Sequence, residues 1–229
     1  MKTTTTKVSG LFLIVSLFSG LALLNAAENE KNVLTPEIIA KAKELHGHTC
    51  PGLCIGFRAA EWVAREFETG KPENRLIAVS EIGMCGVDAF QIVLDCTAGK
   101  GNMIVKNSYG KHAFNFYRPR DGKKVRLLWK MKETPEFQKK MQSINSDDPK
   151  ARNTAMQEYI MSAPFDDLFV VQEPLEEMPD IKRTKKDIPC SFCGEGVETL
   201  LIKEKDGKKI CVPCLAKQQS GQNNISISP

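Results

Sequence analysis

Two groups of thiols and imidazoles in this chain have the types and spacing of metal ligands. Near the C-terminus, Cys190 and Cys193 form one C-x2-C pair and Cys211 and Cys214 form another, separated by the 17 residues 194–210. That spacing fits a site in which a hairpin brings two knuckles together so that four thiolates hold one zinc ion. Four thiolates close the coordination sphere, leave no position for a substrate water and imply a structural or adaptor role. Two disulfides or an iron-sulfur cluster are the competing readings of the same four residues. Farther upstream, His46, His48 and Cys50 place two imidazoles and a thiol within five residues. Cys50 and Cys85 each precede a predicted helix, whose unpaired N–H groups and dipole lower a thiol's pKa and favour the metal-binding thiolate. Two such thiolates with one histidine make a three-ligand site whose fourth position stays open, as in catalytic or exchangeable metal centres. On the competing view, the cysteines are cap or core residues and one histidine only orients its neighbour.

Other residues stand near this constellation in the sequence. Asp88 falls one turn into the helix after Cys85, where a carboxylate can orient a ligand, act as a base or simply favour the helix N-terminus. Lys100, in the run Gly99-Lys100-Gly101-Asn102, can bring an ammonium group and backbone N–H groups to an anion, or it can be part of a bare surface turn. Tyr109 and His112 fall in a predicted hairpin and read as structural or rim residues. Cys54 and Cys96 are left open as ligands, redox-active thiols or structural residues.

The elements that must hold these side chains are legible in outline. Thr35 predicts a helix N-cap with Pro36 at the first position, and Ile38, Ile39, Ala42 and Leu45 give one apolar face that ends at His46-Gly47. Pro51 opens a second helix with Leu53, Phe57, Ala60, Val63, Ala64 and Phe67 facing inward, stopped by Gly70 and Pro72, so Cys50 is its predicted N-cap. Leu76 to Val79 reads as a buried strand and Val87 to Leu94 as a third helix. From Met103 to Trp129 the pattern alternates as strands do, with turns at Ser108 to Gly110 and Asp121-Gly122. Helices follow at about Pro135 to Ile144 and Pro149 to Met161, then a strand at Leu168 to Val171. In the terminal module, Leu200 to Lys203 pair with Lys208 to Val212 across Asp206-Gly207, Gly194 turns the first knuckle, and Cys214 begins a short helical run. This mixed order is that of an α+β protein.

Hydrophobic residues make up 41% of the 229 residues and charged residues 26%, the proportions of an ordinary globular protein with a real core. Lys2 and Lys7 precede a charge-free apolar stretch from Leu11 to Leu24 that closes on Asn25, Ala26 and Ala27, the pattern of a secretory signal over residues 1–27. The apolar part is about 14 residues, short of the ~20 that span a bilayer as a helix, so cleavage is expected rather than a permanent membrane anchor. The expected location is periplasmic or extracellular. Removing those two lysines takes the formal charge from +4 to +2, and the rest are interleaved with acids, so no nucleic-acid partner is indicated. Eight cysteines in an exported chain would ordinarily suggest disulfides, but their spacing and their histidine neighbours suit metal better. The predicted organisation is a core domain over residues 33–180, a four-cysteine zinc finger over 187–217 and a loose tail over 218–229.

Several separate motifs resemble, in order, the signature of the FmdE family, which takes its name from formylmethanofuran dehydrogenase. They are His46-Gly47-His48-Thr49-Cys50-Pro51-Gly52-Leu53 with Gly56 and Arg58, then Cys85-Gly86-Val87-Asp88-Ala89 with Gln91, then Cys96-Thr97 and Gly99-Lys100-Gly101-Asn102. The terminal cysteine pairs match the family's two-domain members. The resemblance implies a thioredoxin-like mixed sheet flanked by helices with a candidate metal site, followed by a treble-clef-type zinc finger. It implies metal ligands at His46, His48, Cys50 and Cys85, with Asp88, Cys85 and Lys100 as candidate catalytic groups. Zinc is the cofactor expected in the finger, and zinc or another transition metal in the core. Cys54 departs from the pattern, and the leader removes the chain from the cytoplasm, where methanofuran chemistry occurs. The leading expectation is a metal-binding accessory protein for a redox or molybdenum/tungsten enzyme system, with a protein partner there and a homodimer as an option. The alternatives are a metal-dependent enzyme of hydrolytic or one-carbon chemistry, and thiol-disulfide exchange through Cys50 and Cys54.

Overall fold

The computed structural model describes residues 33–130, 135–143, 148–181 and 186–220. The expected leader over 1–27 and most of the expected tail lie outside the described residues. The chain divides into two compact units, the first ending at Met178 and the second beginning at Pro179.

In the first unit, helix α1 (Pro36–His46) starts as its sequence requires: Thr35 Oγ1 accepts from Ile38 N, and Pro36 stands at the first position. It stops at Gly47, whose φ of 87° puts the backbone in the left-handed region that glycine enters without steric penalty. Helix α2 (Pro51–Glu66) follows, with Cys50 at its N-cap and Leu53, Phe57, Ala60, Val63 and Ala64 buried. It ends at Glu66, short of the predicted Gly70. Strand β1 (Ile77–Ser80) is buried throughout. Helix α3 (Gly86–Val93) and strand β2 (Met103–Val105) come next, then β3 (Ala113–Tyr117) and β4 (Lys124–Trp129). Helices α4 (Pro135–Gln142), α5 (Pro149–Ser162) and α6 (Phe165–Leu168) lead to β5 (Phe169–Gln172).

The five strands form one mixed sheet in the order β2-β1-β3-β4-β5. β1 and β2 are parallel, joined through α3, and the other pairs are antiparallel. The α+β class and the mixed sheet flanked by helices thus stand as read from the sequence. Ala78, Phe114, Phe116, Val125 and Leu127 share the main core with Ala60, Val63 and Phe67 of α2 and with Phe90 of α3. Phe90 meets Phe114 and Phe116 edge-on, with ring centroids 4.9 and 5.2 Å away, the favoured arrangement for aromatic quadrupoles. That contact fixes α3, and with it the loop carrying Cys85, against the middle of the sheet.

The second unit is small. Strands β6 (Asp187–Pro189) and β7 (Gly196–Glu198) flank Cys190 and Cys193, β8 (Lys203–Lys205) pairs with β9 (Lys208–Ile210), and helix α7 (Val212–Gln219) carries Cys214. The second hairpin begins later than predicted: Leu200 and Leu201 belong to a turn, and Lys203 is the first paired residue. Asp206 and Gly207 both have positive φ there, the backbone of a two-residue turn. Gln218 and Gln219, expected in the tail, close α7 instead. A knuckle, a hairpin and a helix in that order, with two cysteines on the knuckle and two at the helix start, make the treble-clef arrangement. Among the described residues no helix is long and apolar enough to cross a membrane.

Candidate metal centre

Gly47 ends α1 and turns the chain so that His46, His48 and Cys50 surround the junction of α1 with α2. One ligand atom from each of the three lies within 4.8 Å of the others. Cys50 adopts the extended N-cap conformation, and its sulfur accepts from Leu53 N at 3.4 Å. His46 Nε2 faces that sulfur at 3.5 Å, while its Nδ1 is 2.7 Å from Asp88 Oδ2. Asp88 is held in turn by Gln91 Nε2, which donates to Oδ1 at 2.9 Å from one turn along α3. The rings of His46 and His48 stack with centroids 4.7 Å apart. His48 is exposed and Cys50 half-buried, so the group opens to solvent.

Asp88 reaches His46 because α2 and α3 cross with their backbones in contact. A Cβ on Gly56 would lie 2.4 Å from both Cα and O of Gly86. A Cβ on Gly52 would lie 3.1 Å from Cys85 Cβ, 3.4 Å from Cys85 Sγ and 3.9 Å from Cys50 Sγ. Cys85 therefore stands beside Cys50 across the first turn of α2. It is not among the three residues whose ligand atoms converge within 4.8 Å. Its backbone is already helical and its side chain caps nothing. The predicted lowering of its pKa is overturned: burial raises the thiol, and its hydrogen bond with Cys50 raises it further. A thiol flanked by apolar residues and a second sulfur lacks the exposed N–H environment that the prediction assumed.

Lys100 is remote from this group. It pairs with Asp95, past the C-terminal end of the helix whose N-terminal end Cys85 precedes. It lines a cavity of about 690 Å³ with Thr69, Lys71, Asn74, Arg75 and Asp95. Cys54 and Cys96 point into the main core, where burial pushes their thiols up to about 11 and about 12. Tyr109 donates to Glu176 at the surface, and His112 supplies a backbone carbonyl to Trp129 N. Sequence reasoning missed the role of Gln91 as the support of Asp88, although an i,i+3 pair on one helix face was a readable signal. It also left unread the Gly56–Gly86 contact, which joins residues far apart in the chain.

Replacing Gly56 with alanine is expected to force the two helices apart, because backbone, unlike the end of a side chain, cannot swing aside. A destabilisation of about 1–3 kcal/mol or more is expected in urea unfolding, the range for overpacking. Gly99→Ala is the control: its Cβ meets nothing within 4 Å and its φ is ordinary, so stability should be unchanged or slightly raised. Equal stability of the two variants would contradict the reading of the crossing.

In the second unit, one ligand atom from each of Cys190, Cys193, Cys211 and Cys214 lies within 4.8 Å of the other three. The Cys193 and Cys211 sulfurs are 3.8 Å apart. Four sulfurs on a tetrahedron at ~2.3 Å from one ion would be about 3.8 Å from each other, so the set fits a metal such as zinc. Cys190 Sγ accepts from Cys211 N at 3.3 Å and Phe192 N at 3.5 Å. Burial works against its ionisation, but N–H groups of Cys211, Cys193 and Phe192 outweigh it and draw the thiol down to about 6. Cys214 moves the other way, up to about 12, through burial and then its hydrogen bonds with the neighbouring thiols. This division is expected of clustered sulfurs that repel one another's charge, a repulsion that a bound dication would relieve.

Comparison with known proteins agrees with these features. The family described as "FmdE, Molybdenum formylmethanofuran dehydrogenase operon" matches residues 45–170. A protein of Archaeoglobus fulgidus named "Probable S-adenosyl-L-methionine-binding protein" is 27% identical over 210 residues, covering 81% of this chain. The chain spans about half of that relative's length, 54%. Among solved structures, an FmdE-like protein of the tungsten formylmethanofuran dehydrogenase type, from Syntrophus aciditrophicus, is similar, with 21% identity and a TM-score of 0.49. That match covers 82% of this chain and 94% of the other.

Proposed function

The chain belongs to the FmdE family, and from that premise we propose that it is an exported metal-binding protein, accessory to a redox or molybdenum/tungsten enzyme system. On this reading the core holds an exchangeable metal and the finger a structural zinc. The observation that carries the core site is the orientation of His46: its Nε2 is turned to Cys50 Sγ, and its Nδ1 is tied to Asp88 Oδ2 at 2.7 Å. A metal-binding histidine characteristically gives its second nitrogen to a carboxylate, which fixes the tautomer and raises the basicity of the ligating nitrogen. His46, His48 and Cys50 would hold the ion, with Cys85 adjacent as a further thiolate. A metal so held would supply an open coordination position.

Accessory binding is favoured over metal-dependent catalysis by two features. His48 is exposed, which suits exchange with a partner, whereas an enzyme needs an enclosed site. Asp88 is already engaged by both His46 and Gln91, so it orients a ligand instead of standing free as a base. Export rests on the leader pattern of residues 1–27, and the redox partner on the family's association.

Metal analysis of the mature protein, purified without oxygen, tests the reading. Wild type should carry two metal ions per chain, and Cys50→Ser or His46→Ala should carry one. Asp88→Asn should weaken core binding by about 10–100-fold while leaving the second ion in place, as loss of an outer partner does. A wild-type stoichiometry of one, unaffected by Cys50→Ser and abolished by Cys211→Ser, would leave the core without a metal role.

A further inference from the structure

The first unit holds four free cysteines, and they fall into two chemically different pairs. Cys54 and Cys96 are buried in the main core among the aromatic and aliphatic side chains that join α2, α3 and the sheet. Cys50 and Cys85 are only partly buried, and both pack against the other cluster, formed by Leu34, Ala42, Leu53, Phe57 and Ala89. A side chain at position 52 would touch both of their sulfurs, at 3.9 and 3.4 Å. Glycine there leaves the space between the sulfurs clear, and the Gly56–Gly86 contact keeps α3 close enough for that space to be small. Cys54 lies one helical turn from Cys50, but it belongs to the opposite side of α2. The neighbour that can respond to chemistry at Cys50 is therefore Cys85.

We propose that Cys50 and Cys85 form a reversible disulfide, made by exchange with a low-molecular-weight disulfide, whenever the core metal site is empty. This rests on the metal reading only for its gating half, since a sulfur bound to metal is not free to attack. In the first step the Cys50 thiolate attacks one sulfur of the donor RS–SR. The donor's S–S bond breaks, one RS⁻ leaves, and Cys50 becomes a mixed disulfide. Cys85 thiolate then attacks the Cys50 sulfur, the bond to the R group breaks, and the second RS⁻ leaves. Two electrons have passed from the cysteine pair to the donor, and the two cysteine protons end on two RSH molecules. A dithiol reductant reverses both steps. Cys50 is the first attacker because it caps α2 with a helix N–H directed at its sulfur, whereas Cys85 is the more enclosed and resolves the mixed disulfide.

The test uses the full mature chain, stripped of metal by chelation without oxygen and exposed to oxidised glutathione at neutral pH. Peptide mapping reads each cysteine separately, including those of the finger. The expected product is a Cys50–Cys85 linkage that dithiothreitol removes. It should form at least about tenfold more slowly in protein that has kept its core metal, because thiolates in metal bonds are unavailable. Cys54→Ser should behave as wild type. Cys85→Ser should accumulate a lasting glutathione adduct at Cys50, for want of a resolving thiol. A lasting adduct at Cys50 in the wild-type apoprotein, a linkage to Cys54, or no reaction at Cys50 would each overturn the proposal. If the linkage forms in protein that binds no core metal under any condition, the metal reading fails and the exchange stands. If metal is bound but the stripped protein does not form the linkage, the reverse holds.

Discussion

Changing Cys211 to serine is expected to remove one metal ion per chain and to unfold residues 187–219 while leaving the first unit folded. The reason is how little apolar surface the second unit buries. Its core is Cys190, Ile210, Cys211 and Cys214, with Cys193, Val197 and Leu215 packed around it. Its larger apolar side chains Phe192, Leu200, Leu201 and Val212 are exposed. One buried isoleucine cannot offset the chain entropy of some thirty residues, and segments this small ordinarily require metal or disulfides. Metal binding to such four-ligand modules supplies roughly 10–16 kcal/mol at neutral pH, which is enough. Cys211 is the most connected of the four. Its sulfur caps α7 by accepting from Cys214 N at 3.5 Å and lies 3.8 Å from Cys193 Sγ, and its own N–H donates to Cys190. Serine would keep the cap but lose the thiolate. Elemental analysis and limited proteolysis read the outcome. Full metal content with an unchanged digestion pattern would show that the four sulfurs do not hold the module together.

What the sequence revealed and what it hid divide along the range of the interactions. Thr35, Pro36 and Gly47 bound α1 because capping and turn formation involve residues within a few positions of one another. Pro51 and the apolar spacing behind it located α2, and Asp206-Gly207 located the second hairpin, for the same reason. The four finger cysteines were legible because the two C-x2-C pairs are themselves local motifs. The core constellation was legible only in its local part, His46 to Cys50. The link from His46 to Asp88 spans 42 residues, and it exists because Gly56 and Gly86 let two helices touch. Neither glycine advertises a partner in the sequence, where each reads as flexibility or a cap. Cys85 was misjudged on the same account. Its position before a helix is local and legible, but its burial against α2 is a tertiary fact, and it reverses the direction of the pKa shift. Cys54 and Cys85 could not be ranked as partners for Cys50 until the two sides of α2 had been assigned.

The loop that delivers Cys85 leaves the sheet at Glu81, and Glu81→Gln is expected to destabilise the first unit by about 3–5 kcal/mol, the usual result of breaking one side of a buried ion pair. Glu81 and Arg126 side chains are each 4% exposed, and Arg126 approaches with Nε 2.7 Å from Oε1 and Nη2 2.9 Å from Oε2. Asn115 Nδ2 donates to the same Oε1 at 3.0 Å, and Gln172 Oε1 accepts from Arg126 Nη1 at 2.6 Å. The pair thus bridges β4, β3 and β5 to the residue that follows β1. An amide at position 81 would leave the guanidinium buried with its charge uncompensated. The Arg126 hydrogen bonds are the largest influence on Glu81 and hold its carboxyl below the ordinary 4.5 despite burial. A carboxylate whose folded pKa is depressed contributes stability that is fully present above its unfolded pKa and is lost as pH falls through the folded value. The wild type should therefore lose this contribution below about pH 4.5, and the gap between wild type and Glu81→Gln should narrow as the wild-type carboxyl takes up its proton. Urea unfolding at pH 6 and again near pH 3.5 measures both quantities. A gap under about 1 kcal/mol at pH 6, or one that widens on acidification, would contradict the account. Because Glu81 begins the segment that ends at Cys85, the same variant should also slow formation of the Cys50–Cys85 linkage, through a looser loop instead of a lost thiol.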